Sequence, residues 1–163
     1  MLKPGHYKIH PHIIDKLSSL LLLLGVEKDK YDQLAAVLHD RQLRDTIHAL
    51  AQENNQYEIE VRSHLNIMGI VRNQAENESL HIPEFELKPI FLQGAAGSKT
   101  FADNIVRVCC ESEKKMISTY RDVLNEPYLA QETRRIMRYQ LNGMMYAFLR
   151  LKLLNSTHFA RKY

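Results

Sequence analysis

Cysteine is nearly absent from this chain of 163 residues: Cys109 and Cys110 are its only two, and they are neighbours. Adjacent thiols cannot build a disulfide framework or a four-ligand zinc site, and they read as small buried residues of a cytoplasmic protein. A long hydrophobic run is also missing. The leucines from Leu20 to Leu24 fall far short of the roughly 20 apolar residues a spanning helix needs, and charge returns at Glu27, Lys28, Asp29 and Lys30. No membrane association is expected. An export signal fails as well, because Asp15 interrupts the approach and no small-residue cleavage site follows Gly25. Without export, the sequons at Asn77 and Asn155 carry no meaning. Neither sign of charge dominates: 22 basic and 19 acidic residues leave a net +3. They are spread along every segment, so no basic face marks nucleic acid as a partner.

What the chain has is helical periodicity, and few residues that break it. Its length suits one domain with a real core, and its 45% hydrophobic and 25% charged residues are ordinary for a globular protein. Leu17, Leu20, Leu24, Tyr31, Leu34 and Leu38 recur at spacings of three, four and seven, predicting a helix over about 13–38. After the turn His39-Asp40-Arg41, the series Leu43, Ile47, Leu50, Tyr57, Val61, Leu65 and Met68 predicts a second over 41–68, ending at Gly69. The short turn makes the two antiparallel. A third is predicted over 99–124 from Ala102, Val106, Cys109, Ile117, Tyr120 and Leu124. A fourth follows over 127–154, with Pro127 in its first turn and Met137, Leu141, Met144, Phe148 and Leu151 as its stripe. Residues 1–12 read as an extended leader and 155–163 as a frayed polar tail. Residues 70–98, with Pro83, Pro89, Gly94 and Gly97, form a connection too long for neighbouring helices in a bundle. The expected fold is all-α: a ferritin-like four-helix bundle of two antiparallel hairpins joined by a long crossover.

Carboxylates fall on or beside three of the four stripes. Glu113 lies near the centre of its face, where it must be paired, protonated or bound to something. Glu27 falls just inside the edge of its stripe, four residues before Tyr31. Glu53 flanks the second stripe, four residues before Tyr57, and continues along that flank to Glu60 and His64. The fourth helix offers Gln140 near its stripe and Phe148 within it. A carboxylate-bridged di-iron bundle takes a Glu from each of two helices and Glu-x-x-His from each of the other two. Here Glu53-Asn54-Asn55-Gln56 ends in Gln, Gln140-Leu141-Asn142-Gly143 supplies neither type, and Glu78-Ser79-Leu80-His81 lies in the connection. Oxygen-activating iron chemistry is not expected. Two readings follow: Tyr31, Tyr57, Tyr120 and Gln140 satisfy the carboxylates in a buried polar layer, or Glu27, Glu53 and Glu113 hold a divalent metal ion of the oxygen-preferring kind.

Other motifs lead nowhere catalytic. His6, His10 and His12 lie among Pro4 and Pro11 and read as a solvated leader. His64, one turn from Glu60, reads as a rim pair. Ser, Cys and His show no nucleophilic arrangement. Gly94-Ala95-Ala96-Gly97-Ser98-Lys99-Thr100 ends like a phosphate loop, but Ser98 separates Gly97 from Lys99 and no strand precedes it. It reads as a helix start capped by Ser98 or Thr100.

Asp40-x-x-Leu43, Leu50-Ala51-x-Glu53-x-x-x-Tyr57, Cys109-x-x-x-Glu113, Tyr120-x-x-x-Leu124 and Gln140-Leu141 together resemble a bacterial family of ferritin-like four-helix bundles of unknown function. That family is distantly similar to rubrerythrins. The resemblance covers most of residues 13–154. It implies an acidic position in the first helix, at Glu27 or Asp29, and a fourth-helix histidine whose place is taken by Phe148. It also implies a Gly-rich pattern that residues 70–99 lack. The expected function is association without catalysis, with a protein partner or as a homo-oligomer, around a degenerate di-metal centre and with no cofactor. The alternative is a divergent carboxylate metal-binding or redox protein of rubrerythrin type.

Overall fold

The computed structural model describes residues 9–70 and 99–160, and every regular element among them is an α-helix: α1 (Pro11–Ala36), α2 (Arg41–Ile67), α3 (Lys99–Leu124) and α4 (Gln131–Ala160). The connection assigned above to residues 70–98 lies outside the described residues from 71 onward, as does His6. No described helix is long and apolar enough to cross a membrane.

The helix ends follow local chemistry. Pro11 occupies the first turn of α1, where its missing N–H is no loss, so the helix begins two residues before the first apolar position. The expected leader residues His10 and His12 are engaged: His12 Nε2 meets Glu126 at 2.9 Å, and the His10 ring stacks on Tyr128. Asp40 caps α2, its carboxylate accepting from Leu43 N–H at 2.9 Å. At the other end Gly69 adopts φ +75°, the left-handed conformation that closes a Schellman turn. Its bonds are Gly69 N–H to Asn66 O at 3.0 Å and Ile70 N–H to Leu65 O at 2.9 Å.

α4 starts at Gln131 rather than in the Pro127 turn. Leu129 is buried in the core and occupies the turn. Arg134 reaches back to donate to Leu124 O at 2.7 Å and Glu126 O at 3.0 Å, satisfying carbonyls the end of α3 leaves open. The helix then continues to Ala160, into the expected tail.

Each helix packs on two neighbours: α1 on α2 and α3, α4 on α3 and α2. All four contacts are antiparallel. Along α1, Lys16 meets Asp122 while Tyr31 meets Glu113. Along α2, Glu53 meets Arg150, Glu60 meets Gln140 and His64 meets Thr133. Between α3 and α4, Tyr120 faces Gln140. Parallel α2 and α3 therefore lie across one diagonal.

The core seam alternates steps of three and four on every helix. On α1 it reads Ile13, Leu17, Leu20, Leu24, Glu27, Tyr31 and Leu34, all buried, and Leu38 continues it in the turn beyond the helix end. Such alternation keeps one face on the bundle axis over many turns. Burying one such leucine stabilises by roughly 1.5–3 kcal/mol.

Candidate functional site: a buried carboxylate and tyrosine layer

The seams are interrupted once or twice per helix by a polar residue: Glu27 on α1, Asn54 and His64 on α2, Glu113 on α3, Thr133 and Gln140 on α4, each under 10% exposed. Glu27 therefore does not sit at an edge. A straight wheel at 100° per residue displaces it toward the edge of the stripe, whereas the three-four alternation places it in the seam between Leu24 and Tyr31. Glu53 is the rim residue, with Arg150 at 2.7 Å from its Oε1. The seam position beside it is Asn54, whose amide lies 3.6 Å from Met116 Sδ.

Between α1 and α3, two groups meet. Lys30 Nζ stands 3.0 Å from Glu27 Oε1 and 2.9 Å from Oε2, and donates to Ser112 Oγ at 3.0 Å. Tyr31 donates its hydroxyl to Glu113 Oε1 at 2.7 Å. The other oxygen, Glu113 Oε2, is buried with no hydrogen-bond partner among the described residues. Burial pushes the Glu113 carboxyl up to about 7, with Glu53 and Glu27 adding to the rise and the Tyr31 hydrogen bond opposing it. Burial and the adjacent Glu113 hold the Tyr31 phenol well above its ordinary range. The layer is built to keep protons rather than release them.

A second cluster joins α2, α3 and α4. Tyr120 donates to Gln140 Oε1 at 2.6 Å, and Gln140 Nε2 donates to Glu60 Oε2 at 2.9 Å and to Tyr57 O at 3.3 Å. Gln140 is thus fully used. Burial raises the Tyr120 phenol far above its usual value and pushes Tyr57 up to about 12. His64, read from the sequence as a rim partner of Glu60, is instead buried against Thr133 Oγ1 at 2.7 Å. Burial lowers its pKa. His64 and Asn54 were legible only as members of the alternating seam, since neither is apolar.

The register also relocates α4. Because Tyr120 faces Gln140 and Lys114 lies against Phe148, the α4 residues level with Glu113 are Ala147 and Phe148, two turns from Gln140. Ala147 is buried and Phe148 only half-buried, its ring covered by Lys152 at 4.8 Å. Reading the stripe from large apolar residues alone had rotated it toward α3, because Gln140 and Ala147 hold central positions without being large and apolar.

The donor set does not fit a di-metal centre. Glu27 is engaged by an ammonium, Glu53 by a guanidinium, and the only buried imidazole among the described residues, His64, faces Thr133. Among the described residues no three of His, Cys, Asp and Glu gather in a group that could hold a metal ion. Nucleophilic chemistry finds no support either. Burial raises the thiols of Cys109 and Cys110, which disfavours thiolate. Ser112 is 3% exposed, so no substrate reaches its contact with Lys30.

Gly143 has a packing role. A Cβ there would overlap the Tyr57 hydroxyl and lie 3.2 Å from its Cζ. Gly143→Ala is expected to cost about 1–3 kcal/mol through overpacking, despite roughly 1 kcal/mol of helix propensity gained. Tyr57→Phe in the same chain should recover most of the loss. Urea melts of the two single variants and the double variant check this, and additive losses would count against the contact.

No family model, curated protein or solved structure matches the chain.

Proposed function

We propose that this chain is a non-catalytic, ferritin-like bundle that acts through protein association and whose carboxylate layer is a degenerate di-metal centre. The observation that carries the reading is Lys30, an ammonium placed on buried Glu27 and Ser112, where a metal-binding layer would need a free carboxylate. With Arg150 on Glu53 and Tyr31 on Glu113, each carboxylate has its own internal partner. The layer then serves packing specificity, as buried polar positions do when they fix helix register.

The ferritin-like topology draws support from the helix directions. Ile70 follows α2 at the end where α1 begins, while Lys99 opens α3 at the opposite end. The chain between them must bridge a bundle about 40 Å long, at 1.5 Å per helical residue. A link of this size reaches that far, as the crossover of the rubrerythrin-like family would.

A carboxylate metal site on Glu27, Glu53 and Glu113 is favoured by the buried Oε2 atoms of Glu113 and Glu27, neither of which has a hydrogen-bond partner among the described residues, although Lys30 stands 2.9 Å from the latter. Elemental analysis of purified protein, with melts across added Fe, Mn, Zn and Ca, separates the readings. An ion bound to the native state at 100 times its Kd adds about 2.7 kcal/mol. The association reading expects no ion to raise the melting temperature. Tightly held metal that is lost in Glu53→Gln and Glu113→Gln variants would overturn it.

A further inference from the structure

α4 carries a second seam. Its inner one buries Thr133, Met137, Gln140, Met144, Ala147 and Leu151. On the opposite side, Tyr139, Asn142, Tyr146, Leu149 and Leu153 repeat the same three-four alternation in solvent. Tyr139 is 69% exposed, Tyr146 72%, Leu149 55% and Leu153 68%. Scattered exposed apolar residues are normal, but four on one line at seam spacing, spanning about 20 Å of helix, form a ridge. Beside its N-terminal half, Tyr139 borders a shallow groove of about 540 Å³ shared with Ile67 and Ile136, and Arg135 stands at its lip.

On α4 itself the charge beside this ridge has one sign, while Glu60 of α2 lines the far side of the groove. From Thr133 to Ala160 the helix carries Arg134, Arg135, Arg138, Arg150 and Lys152 and no acidic residue. Arg134 is bound to the α3 turn and Arg150 to Glu53. Arg135 and Arg138 are exposed and make no ion pair among the described residues, and they flank the ridge near Tyr139.

From this we infer that the outer face of α4 docks an acidic amphipathic helix of another protein, apolar side chains on the ridge and carboxylates on Arg135 and Arg138. The inference rests on the association reading above and names the partner's chemistry. Seam spacing suits a helix, whose own apolar residues interdigitate at three and four. Charge complementarity sets the sign of its flanks. A second copy of the chain suits the face poorly, because pairing two such ridges sets arginine against arginine or lysine whichever way they run. An anionic bilayer is wider than one helix and would also meet Glu53 and Glu60 of α2 beside the ridge.

The test is selection of a displayed library of helical peptides, about 21 residues long, with leucine at the seam positions and Glu, Gln or Lys varied at the flanks, against the full chain. Enrichment of Glu is expected. Fluorescence anisotropy of a selected peptide should then show binding at least 10-fold weaker to the Tyr146→Ala/Leu149→Ser variant and to Arg135→Glu/Arg138→Glu, with the latter loss recovered by Glu→Lys in the peptide. Helical circular dichroism of both variants establishes that they fold. Enrichment of Lys, no enrichment, or binding indifferent to these variants overturns the proposal. So does a dimer in analytical ultracentrifugation that Tyr146→Ala/Leu149→Ser converts to monomer, or adsorption to phosphatidylserine vesicles that the peptide cannot compete. Those results leave the metal melts untouched, so failure of the docking face and failure of the association reading are separable.

Discussion

Replacing Lys30 by methionine is expected to destabilise the protein by about 3–5 kcal/mol, the cost of leaving a buried carboxylate without its counter-charge. Glu27 is fully buried and Lys30 is its contact at both oxygens. Methionine keeps the volume of the stem but not the ammonium, and it also takes a donor from Ser112. Since a native state holds only about 5–15 kcal/mol in all, such a loss is readily seen in chemical melts. The double variant Glu27→Leu/Lys30→Met distinguishes charge from shape. It restores an apolar seam between Leu24 and Tyr31, and buried ion pairs replaced by apolar residues of similar volume are often neutral or stabilising. Recovery of most of the loss is therefore expected. If the double variant is as unstable as Lys30→Met, the pair is not what sets the stability of this layer. A metal-binding reading makes a different demand: there, removing Lys30 would free Glu27 and create affinity for divalent ions, which the same melts with added Mn or Fe would register.

The second large effect concerns Glu113 and pH. Its carboxyl, raised from 4.5 to about 7 chiefly by burial, keeps its proton in the folded state where the unfolded chain has lost it. The folded state then binds more protons between those values, so stability falls as pH rises from about 4.5 through 7 and levels off beyond. The full effect is about 3 kcal/mol. Below pH 4.5 both states hold the proton and the penalty vanishes. His64 acts in the opposite sense. Its lowered pKa means the unfolded imidazole takes a proton first, so it removes stability as pH falls through the ordinary histidine range. Tyr31, Glu53, Glu27 and Arg150, the groups that act on Glu113, stay in place in the test, which compares Glu113→Gln with the parent. The variant still accepts from Tyr31 and cannot ionise. Urea melts between pH 5 and 8 should show the parent losing stability relative to Glu113→Gln as pH rises. An identical slope in both would mean that Glu113 is not the titrating group.

How far the site could be read in advance differs residue by residue. Glu113 was legible because it stands between Cys109 and Ile117, so any helical projection puts it inside. Glu27 was harder: a straight wheel drifts against a three-four repeat, and the drift is enough to move a residue from seam to edge. Asn54, Thr133 and His64 were invisible to a search for apolar stripes, because they are seam residues by position and not by chemistry. Arg150 could not be assigned at all, because only the register between α2 and α4 brings Glu53 within its reach. Lys30 and Glu27 stand three apart on α1, a spacing that already makes them neighbours, but the contact of Lys30 with Ser112 depends on the register with α3.

The sequence by itself determined the four helices, the turn chemistry at Asp40 and Gly69, and the presence of acid and tyrosine within the bundle, since these depend on periodicity and backbone preference over short distances. Which helix lies beside which, the antiparallel pairing of α1 with α3 and of α2 with α4, and the contacts of Lys30 with Ser112 and of Arg150 with Glu53 were decided only by tertiary structure. Local spacing places a residue on a face. Its partner is chosen by the register between helices, which is a property of the packed core as a whole.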